Sequence, residues 1–163
     1  MKIKRVSREQ YYIQIARTVA MKSPCSRRKF GAIIVKDGAI VSTGYNGSPR
    51  ETINCGVEIK CLKDIANEER YTSYVNCPAV HAEQNAIINA ARIGVSVFGG
   101  TIYLASLNCG NGDRPCHRCR REVINAGIKD CYYLDKSETL IHEQVNEWIT
   151  IENAWMREKL DAK

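Results

Sequence analysis

The fold is decided by the stretch HAEQNAIINAAR at residues 81–92. This stretch is rich in Ala and Ile, contains neither Gly nor Pro, and is followed by Gly94, so it predicts a helix that begins at His81. Residues two apart on an ideal helix point about 200° away from each other. His81 and Glu83 can therefore serve one site only in the first turn, where the chain enters the helix.

A second helix start is predicted further along the chain. Pro115 suits the first positions of a helix, which places Cys116 and Cys119 in the first turns of a helix that runs to Gly127. A helix N-terminus favours negative charge and therefore favours thiolates. One imidazole and two thiolates fill three corners of a Zn²⁺ tetrahedron and leave the fourth open, as in catalytic zinc sites. We predict that His81, Cys116 and Cys119 bind a catalytic zinc.

Glu83 is not needed as a metal ligand, which leaves it available for proton transfer. Zinc lowers the pKa of bound water from about 15.7 to about 7. We expect Glu83 to take a proton from this water and to pass protons on to the reacting groups. A C-x-x-C motif alone also describes a redox pair, and a histidine beside a glutamate also describes a surface helix start. Together the two halves resemble the H-x-E and P-C-x-x-C signature of the zinc-dependent nucleobase deaminases. This resemblance implies that Glu83 protonates the ring nitrogen beside the attacked carbon and later the departing ammonia.

Length and charge narrow the class of protein. The 163 residues contain neither a Pro/Ser-rich linker nor an internal repeat, so we expect one domain spanning residues 1–163. No continuous apolar stretch follows the basic residues near the start, so the sequence predicts neither a signal peptide nor a membrane span. We therefore expect a cytoplasmic location. In the reducing cytoplasm, the eight cysteines favour metal ligation over disulfides. The net charge of +6 suits an anionic nucleotide, whereas the dispersed basic residues do not favour polymeric nucleic acid.

The remaining patterns predict helices and strands in alternation. An amphipathic helix is expected from Val6 to Val19, and a C-terminal helix contains Trp148 and Leu160. Strands that alternate with helices imply right-handed crossovers and a sheet covered on both faces. The predicted fold is a three-layer α/β/α sandwich. Its strands are expected at residues 30–35, 39–44, 101–105 and 129–134, with a short fifth strand within 139–145.

Four segments resemble the deoxycytidylate (dCMP) deaminase family in order and spacing: residues 23–28, 30–35, 42–49 and 81–87. The match covers the chain from about residue 7 to residue 134. The resemblance implies a mixed, about five-stranded, cytidine deaminase-like sheet, the zinc ligands and proton shuttle named above, and Asn46 in the substrate pocket. It also implies a homo-oligomer and control by dCTP and dTTP as effectors.

The chain departs from the family pattern before the second cysteine motif. In typical members the first zinc cysteine lies at the position of Cys109, but the C-x-x-C spacing here selects Cys116. This difference implies an insertion that forms a glycine-rich loop from Cys109 to Arg114. We expect the loop to lie beside the pocket, with Cys109 either part of it or a buried bystander.

Four further cysteines raise the question of a second metal. Phage-type members of the family hold a structural zinc with cysteines at positions like Cys25 and Cys55, and Cys61 and Cys77 complete a set of four here. Four thiolates close a tetrahedron, and such a site would tether the long loop over residues 48–80. The alternative is four thiols without a metal.

The expected reaction is hydrolytic deamination of dCMP to dUMP. Arg27, Arg28 and Arg114 are candidates for the phosphate because Arg presents a fork of donors to anions, although the first two also describe a solvated basic turn. The alternatives are deamination of cytidine, dCTP or a purine, or a catalytically silent, zinc-stabilised binding module. Glu83 argues against the silent module, since a structural site has no use for that carboxylate.

Overall fold

The structure is a computed structural model that describes residues 5–68, 76–107 and 112–161. In these segments one mixed sheet has the strand order β2-β1-β3-β4-β5. Strands β3 and β4 are parallel, and every other neighbouring pair is antiparallel. The strands are β1 (Phe30–Lys36), β2 (Ala39–Tyr45), β3 (Thr101–Ser106), β4 (Asp130–Leu134) and β5 (Leu140–Gln144).

Five helices accompany the sheet in the described segments. They are α1 (Arg8–Ala20), α2 (Leu62–Ile65), α3 (Ala82–Arg92), α4 (His117–Asn125) and α5 (Val145–Asp161). None of them is long and apolar enough to cross a membrane. The predicted α/β fold with a mixed, five-stranded sheet is confirmed, including the short fifth strand. Helix α2, only four residues long, was not predicted.

The two faces of the sheet are covered by different helices. Alternate residues of β1 point to opposite faces, because side chains alternate along a strand. Ile33 and Val35 pack in one core cluster with Tyr12, Ile13 and Ala16 of α1. Ala32 and Ile34 pack in the other cluster, with side chains of α3, α4 and α5. The helices that begin at His81 and near Cys116 therefore share one face.

Helix α3 lies unusually close to the edge strand β2. A Cβ atom on Gly44 would come within 2.2 Å of the Ala86 backbone nitrogen and 2.4 Å of the Ala82 carbonyl oxygen. Only a residue without a side chain permits this approach. In the same region the Ser42 hydroxyl donates to the Ala86 carbonyl at 2.6 Å. The position of the first turn of α3 is thus set by backbone contact with β2.

This contact predicts a large cost for Gly44→Ala. The added methyl must push against backbone, so we expect the free energy of unfolding to fall by about 3 kcal/mol in urea titrations. Gly94→Ala is the matched control, because Gly94 has φ +74° but no atom near its missing Cβ, and backbone strain alone costs about 1–2 kcal/mol. Equal losses in the two variants would contradict the close packing of α3 on β2.

Candidate active site

Helix α3 begins with the histidine of the site. His81 is the N-cap residue, with φ −73° and ψ 160°, and its backbone N–H donates to Oε1 of Gln84 at 2.9 Å. This reciprocal bond satisfies one of the donors that a helix N-terminus leaves unpaired. Glu83 lies in the first turn and is only 4% exposed. His81 and Glu83 thus meet at the chain entry, as the spacing predicted.

Helix α4 begins with the two cysteines. Cys116 is the N-cap residue, and its Sγ accepts a hydrogen bond from the Cys119 backbone N–H at 3.5 Å. Cys119 is fully buried, whereas Cys116 is partly exposed. Because the peptide dipoles of α4 point their positive end at this turn, negative charge on sulfur is favoured here.

The two helix starts bring three ligand atoms together. Nδ1 of His81 lies 3.6 Å from Sγ of Cys116 and 3.3 Å from Sγ of Cys119. A tetrahedral zinc with Zn–S distances of about 2.3 Å and a Zn–N distance of about 2.0 Å requires N···S separations of about 3.5 Å. The three ligands therefore fit one zinc ion. Within the described segments, this is the only set of three such residues whose ligand atoms all lie within 4.8 Å of one another.

Protons are shared unequally in this cluster. The hydrogen bond from the Cys119 thiol lowers the pKa of Cys116 to about 3, and the same bond raises the pKa of Cys119. The hydrogen bond to Cys116 also raises the pKa of His81, although burial opposes it. A bound zinc ion would displace these protons, because the cysteine and histidine ligand atoms must be deprotonated to bind a metal.

Glu83 faces the cluster without being needed in it. Burial raises the pKa of its carboxyl group, and the neighbouring His81 opposes that increase. Because burial favours its protonated form, this carboxyl group is better suited to holding and passing on a proton than an exposed carboxylate would be.

A cavity of about 210 Å³ opens over this cluster. His81, Glu83 and Cys116 form part of its wall. The other lining residues come from the segment before β1, from the 63–79 region, and from strand and loop ends: Cys25, Arg27, Arg28, Phe30, Asn46, Lys63, Cys77, Ala79, Ala82, Leu104 and Arg114. All four residues predicted to bind substrate, namely Asn46, Arg27, Arg28 and Arg114, therefore line the same cavity as the cluster.

Asn46 fastens one wall of this cavity. Its Oδ1 accepts hydrogen bonds from the Ser23 hydroxyl at 2.8 Å and from the Phe30 backbone N–H at 2.7 Å. Its Nδ2 donates to the Arg28 carbonyl at 2.9 Å. Since an amide nitrogen carries two donors, one N–H remains for a ligand in the cavity.

Among the described residues, each arginine and lysine that lines the cavity contacts an acid of the protein. Arg27 donates to Asp64 at 2.6 Å. Arg28 lies 3.6 Å from the fully buried Asp113 and stacks 4.5 Å above the Phe30 ring. Two further ion pairs complete the rim: Lys63 with Glu68 at 3.6 Å, and Arg114 with Glu143 at 3.0 Å.

A match to known proteins decides the family. Residues 6–135 match the model of the cytidine and deoxycytidylate deaminase zinc-binding region. The chain belongs to this family. Deoxycytidylate deaminase of Mycobacterium phage D29 is 32% identical over 131 residues, which are 79% of this chain and 95% of that protein. The recognition of a zinc-dependent deaminase is confirmed.

Two further proteins extend the comparison. ComE operon protein 2 of Bacillus subtilis is 33% identical over 137 residues, which are 84% of this chain but 64% of that protein. The dCMP deaminase of cyanophage S-TIM5, solved in complex with dCMP and dUMP, is 30% identical with a TM-score of 0.56. That alignment covers 77% of this chain and 80% of the phage protein.

The sequence did not reveal how the deaminase holds its two helix starts together. Nε2 of Gln84 in α3 donates to Oε1 of Glu122 in α4 at 2.7 Å. Gln84 also caps His81, so this one side chain joins both halves of the ligand set. The position of Gln84, three residues after the N-cap, could have predicted its capping role. Its hydrogen bond to Glu122 in another helix could not be predicted from the sequence.

The inserted segment is anchored at its end. Both oxygens of Asp113 accept hydrogen bonds from Ser106, the last residue of β3. Its backbone N–H donates to the Leu134 carbonyl at 2.7 Å. Arg114 follows directly and reaches the cavity, as predicted for this loop. Cys109 lies outside the described residues.

The four cysteines predicted to hold a second zinc, namely Cys25, Cys55, Cys61 and Cys77, do not meet as one group. Cys25 and Cys77 line the cavity, whereas Cys55 and Cys61 interact with each other outside its lining. Burial, followed by smaller contributions that include Cys61, raises the pKa of Cys55. No three of the four have sulfur atoms within 4.8 Å of one another, all four being described residues.

The site geometry separates the role of Glu83 from that of the ligands. Glu83→Gln keeps the shape of the side chain, so we expect full zinc content but turnover reduced by about 10³-fold or more, because the proton carrier is lost. His81→Ala and Cys116→Ala are expected to lose zinc itself. Metal analysis and ammonia release measured on the same samples check both statements. Activity of Glu83→Gln within tenfold of the parent would remove its assigned role.

Proposed function

We propose that residues 1–163 form one deaminase domain that hydrolyses dCMP to dUMP and ammonia. The observation that carries the proposal is the buried Glu83 on the wall of a cavity beside the three ligands His81, Cys116 and Cys119. A purely structural zinc site has no use for such a carboxylate. The dCMP deaminases among the similar proteins support the substrate.

The chemistry divides between the metal and the protein. A bound zinc ion supplies a Lewis acid that makes water nucleophilic at neutral pH. Glu83 accepts the proton of the attacking water and passes it to the ring nitrogen next to C4 of the cytosine. The water oxygen forms the new bond to C4, and Glu83 then takes the remaining proton of that hydroxyl group and delivers it to the exocyclic amine. The bond between C4 and the exocyclic nitrogen breaks, the C4–O group becomes the carbonyl of dUMP, and the amine leaves as ammonia. Asn46, Arg27, Arg28 and Arg114 hold the nucleotide, with the arginines toward the phosphate.

A nucleoside is the second candidate substrate. Each rim cation already contacts a carboxylate: Asp64, Asp113, Glu68 or Glu143. A nucleoside carries no phosphate, so it does not have to compete with these carboxylates for the rim cations. Arginine keeps further donors when one edge is paired, however, so a phosphate can still be bound.

A substrate panel separates these candidates. Ammonia release from deoxycytidine, dCMP, dCTP, cytidine and CMP is measured with the zinc-loaded enzyme. We expect the highest kcat/KM for dCMP, because charge-assisted contacts to a phosphate are worth about tenfold or more in binding. A panel in which deoxycytidine equals or exceeds dCMP would assign the enzyme to nucleosides instead.

A second, structural zinc at Cys25, Cys55, Cys61 and Cys77 is a further proposal. Its support is the resemblance to phage-type members and the contact between Cys55 and Cys61. We expect two zinc ions per chain by elemental analysis and one after Cys61→Ser, since loss of a ligand weakens a closed thiolate site. A single zinc that Cys61→Ser leaves unchanged is inconsistent with a second site.

Assembly, regulation and location complete the proposal. We propose a homo-oligomer, control by dCTP and dTTP, and a cytoplasmic location. The support for all three is the family resemblance together with a sequence that contains no apolar stretch of spanning length.

A further inference from the structure

Glu143 of β5 receives an unusual number of donors. The Tyr133 hydroxyl donates to its Oε1 at 2.9 Å, and Nε1 of Trp148 donates to its Oε2 at 2.6 Å. Tyr133 and Trp148 are both buried in the core that faces α3 and α4. Burial, and then the bond to Glu143, raise the pKa of Tyr133, so its hydroxyl remains a donor. The carboxylate is therefore fixed by neutral groups that belong to the core.

The same carboxylate holds Arg114 on its other side. Nε of Arg114 lies 3.3 Å from Oε2 of Glu143, and Nη2 lies 3.0 Å from Oε1. This two-point contact fixes the plane of the guanidinium as well as its position. Within the described part of the chain, Glu143 is the only residue to which Arg114 makes an ion pair or a hydrogen bond.

The contact leaves one edge of Arg114 for a ligand. A guanidinium carries five N–H donors, and Glu143 uses the Nε edge. The donors of Nη1 and the second donor of Nη2 remain, and Arg114 lines the cavity that also contains Glu83 and Cys116. Two donors on one edge match two oxygens of a phosphate.

The backbone of Arg114 is also restricted. Pro115 fixes the next φ angle, and Cys116 is one of the three metal ligands and the N-cap of α4. The side chain of Arg114 is about half exposed, so it would sample many rotamers without a partner. Glu143 removes that freedom from Arg114, which lies two residues before the metal ligand Cys116.

We propose that Glu143 is a positioning residue that fixes Arg114 with its free edge toward the cavity, and that this orientation gives the enzyme its preference for a nucleotide over a nucleoside. The inference rests on the proposed deaminase function. Glu143 acts through Arg114 and touches neither the substrate nor the metal.

The test is a double-mutant cycle read as a preference ratio. The ratio is kcat/KM for dCMP divided by kcat/KM for deoxycytidine. A general loss of stability or zinc lowers both values by the same factor and therefore leaves the ratio unchanged. We expect Arg114→Ala to lower the ratio about tenfold or more, because a charge-assisted contact is lost. Glu143→Gln should lower it by a similar factor, through KM for dCMP. In the Arg114→Ala background, Glu143→Gln should lower it no further, since residues that act through one another are not additive.

A second pair of residues provides the matched control. Arg17 and Glu138 form an ion pair at 2.8 Å, and neither residue lines the cavity. Glu138→Gln makes the same chemical change as Glu143→Gln and should leave the ratio unchanged. Should Glu143→Gln fail to fold, Arg114→Lys tests the same point. It keeps the charge but not the fork, and a lowered ratio is expected.

The outcomes distinguish the inference from the function on which it rests. A wild-type enzyme that does not deaminate dCMP overturns the proposed function. A dCMP-active enzyme whose ratio is unchanged by Arg114→Ala, Arg114→Lys or Glu143→Gln overturns only the positioning role. Additive losses in the double variant also overturn it, because Glu143 would then act by a route other than Arg114.

Discussion

The N-termini of helices α3 and α4 lie next to each other, and the active site depends on this proximity. Nδ1 of His81, at the start of α3, lies 3.3 Å from Sγ of Cys119 in the first turn of α4. Gln84 caps the first helix and hydrogen-bonds Glu122 of the second, so one side chain holds the two helix N-termini in position relative to each other. The positive ends of both helix dipoles then face the cysteine sulfur atoms and the carboxyl group of Glu83, where they favour negative charge. A small shift of either helix would separate the ligands while much of the core stayed intact.

Local signals explain what could be predicted from the sequence. The helix starts at His81 and Cys116 follow from a Pro, a cap position and the spacing of the motifs, and all of these are readable within a few residues. The strands follow from alternating apolar residues between turns. The ion pairs could not be predicted, because Arg27 meets Asp64 across 37 residues and Arg114 meets Glu143 across 29 residues. Only the folded chain brings such partners together.

The charge of the cavity is therefore different from the charge of the chain. A net charge of +6 suits an anionic ligand, yet the four rim cations that the described segments contain each contact an acid. An anionic substrate gains little from long-range attraction under these conditions and depends on donors that the acids leave unused. In the proposed function, specificity for a phosphate depends on how each guanidinium is oriented, and the carboxylates that pair with them would contribute to function as well as to stability.

The central claim is that His81, Cys116 and Cys119 hold a zinc ion whose fourth position is left for the reaction. Anomalous diffraction at the zinc edge from crystals of the purified protein tests it most directly. We expect a peak about 2.3 Å from both sulfur atoms and about 2.0 Å from Nδ1 of His81, with the Glu83 carboxylate outside the coordination shell. A peak elsewhere, or one with Glu83 as a fourth protein ligand, would contradict the account.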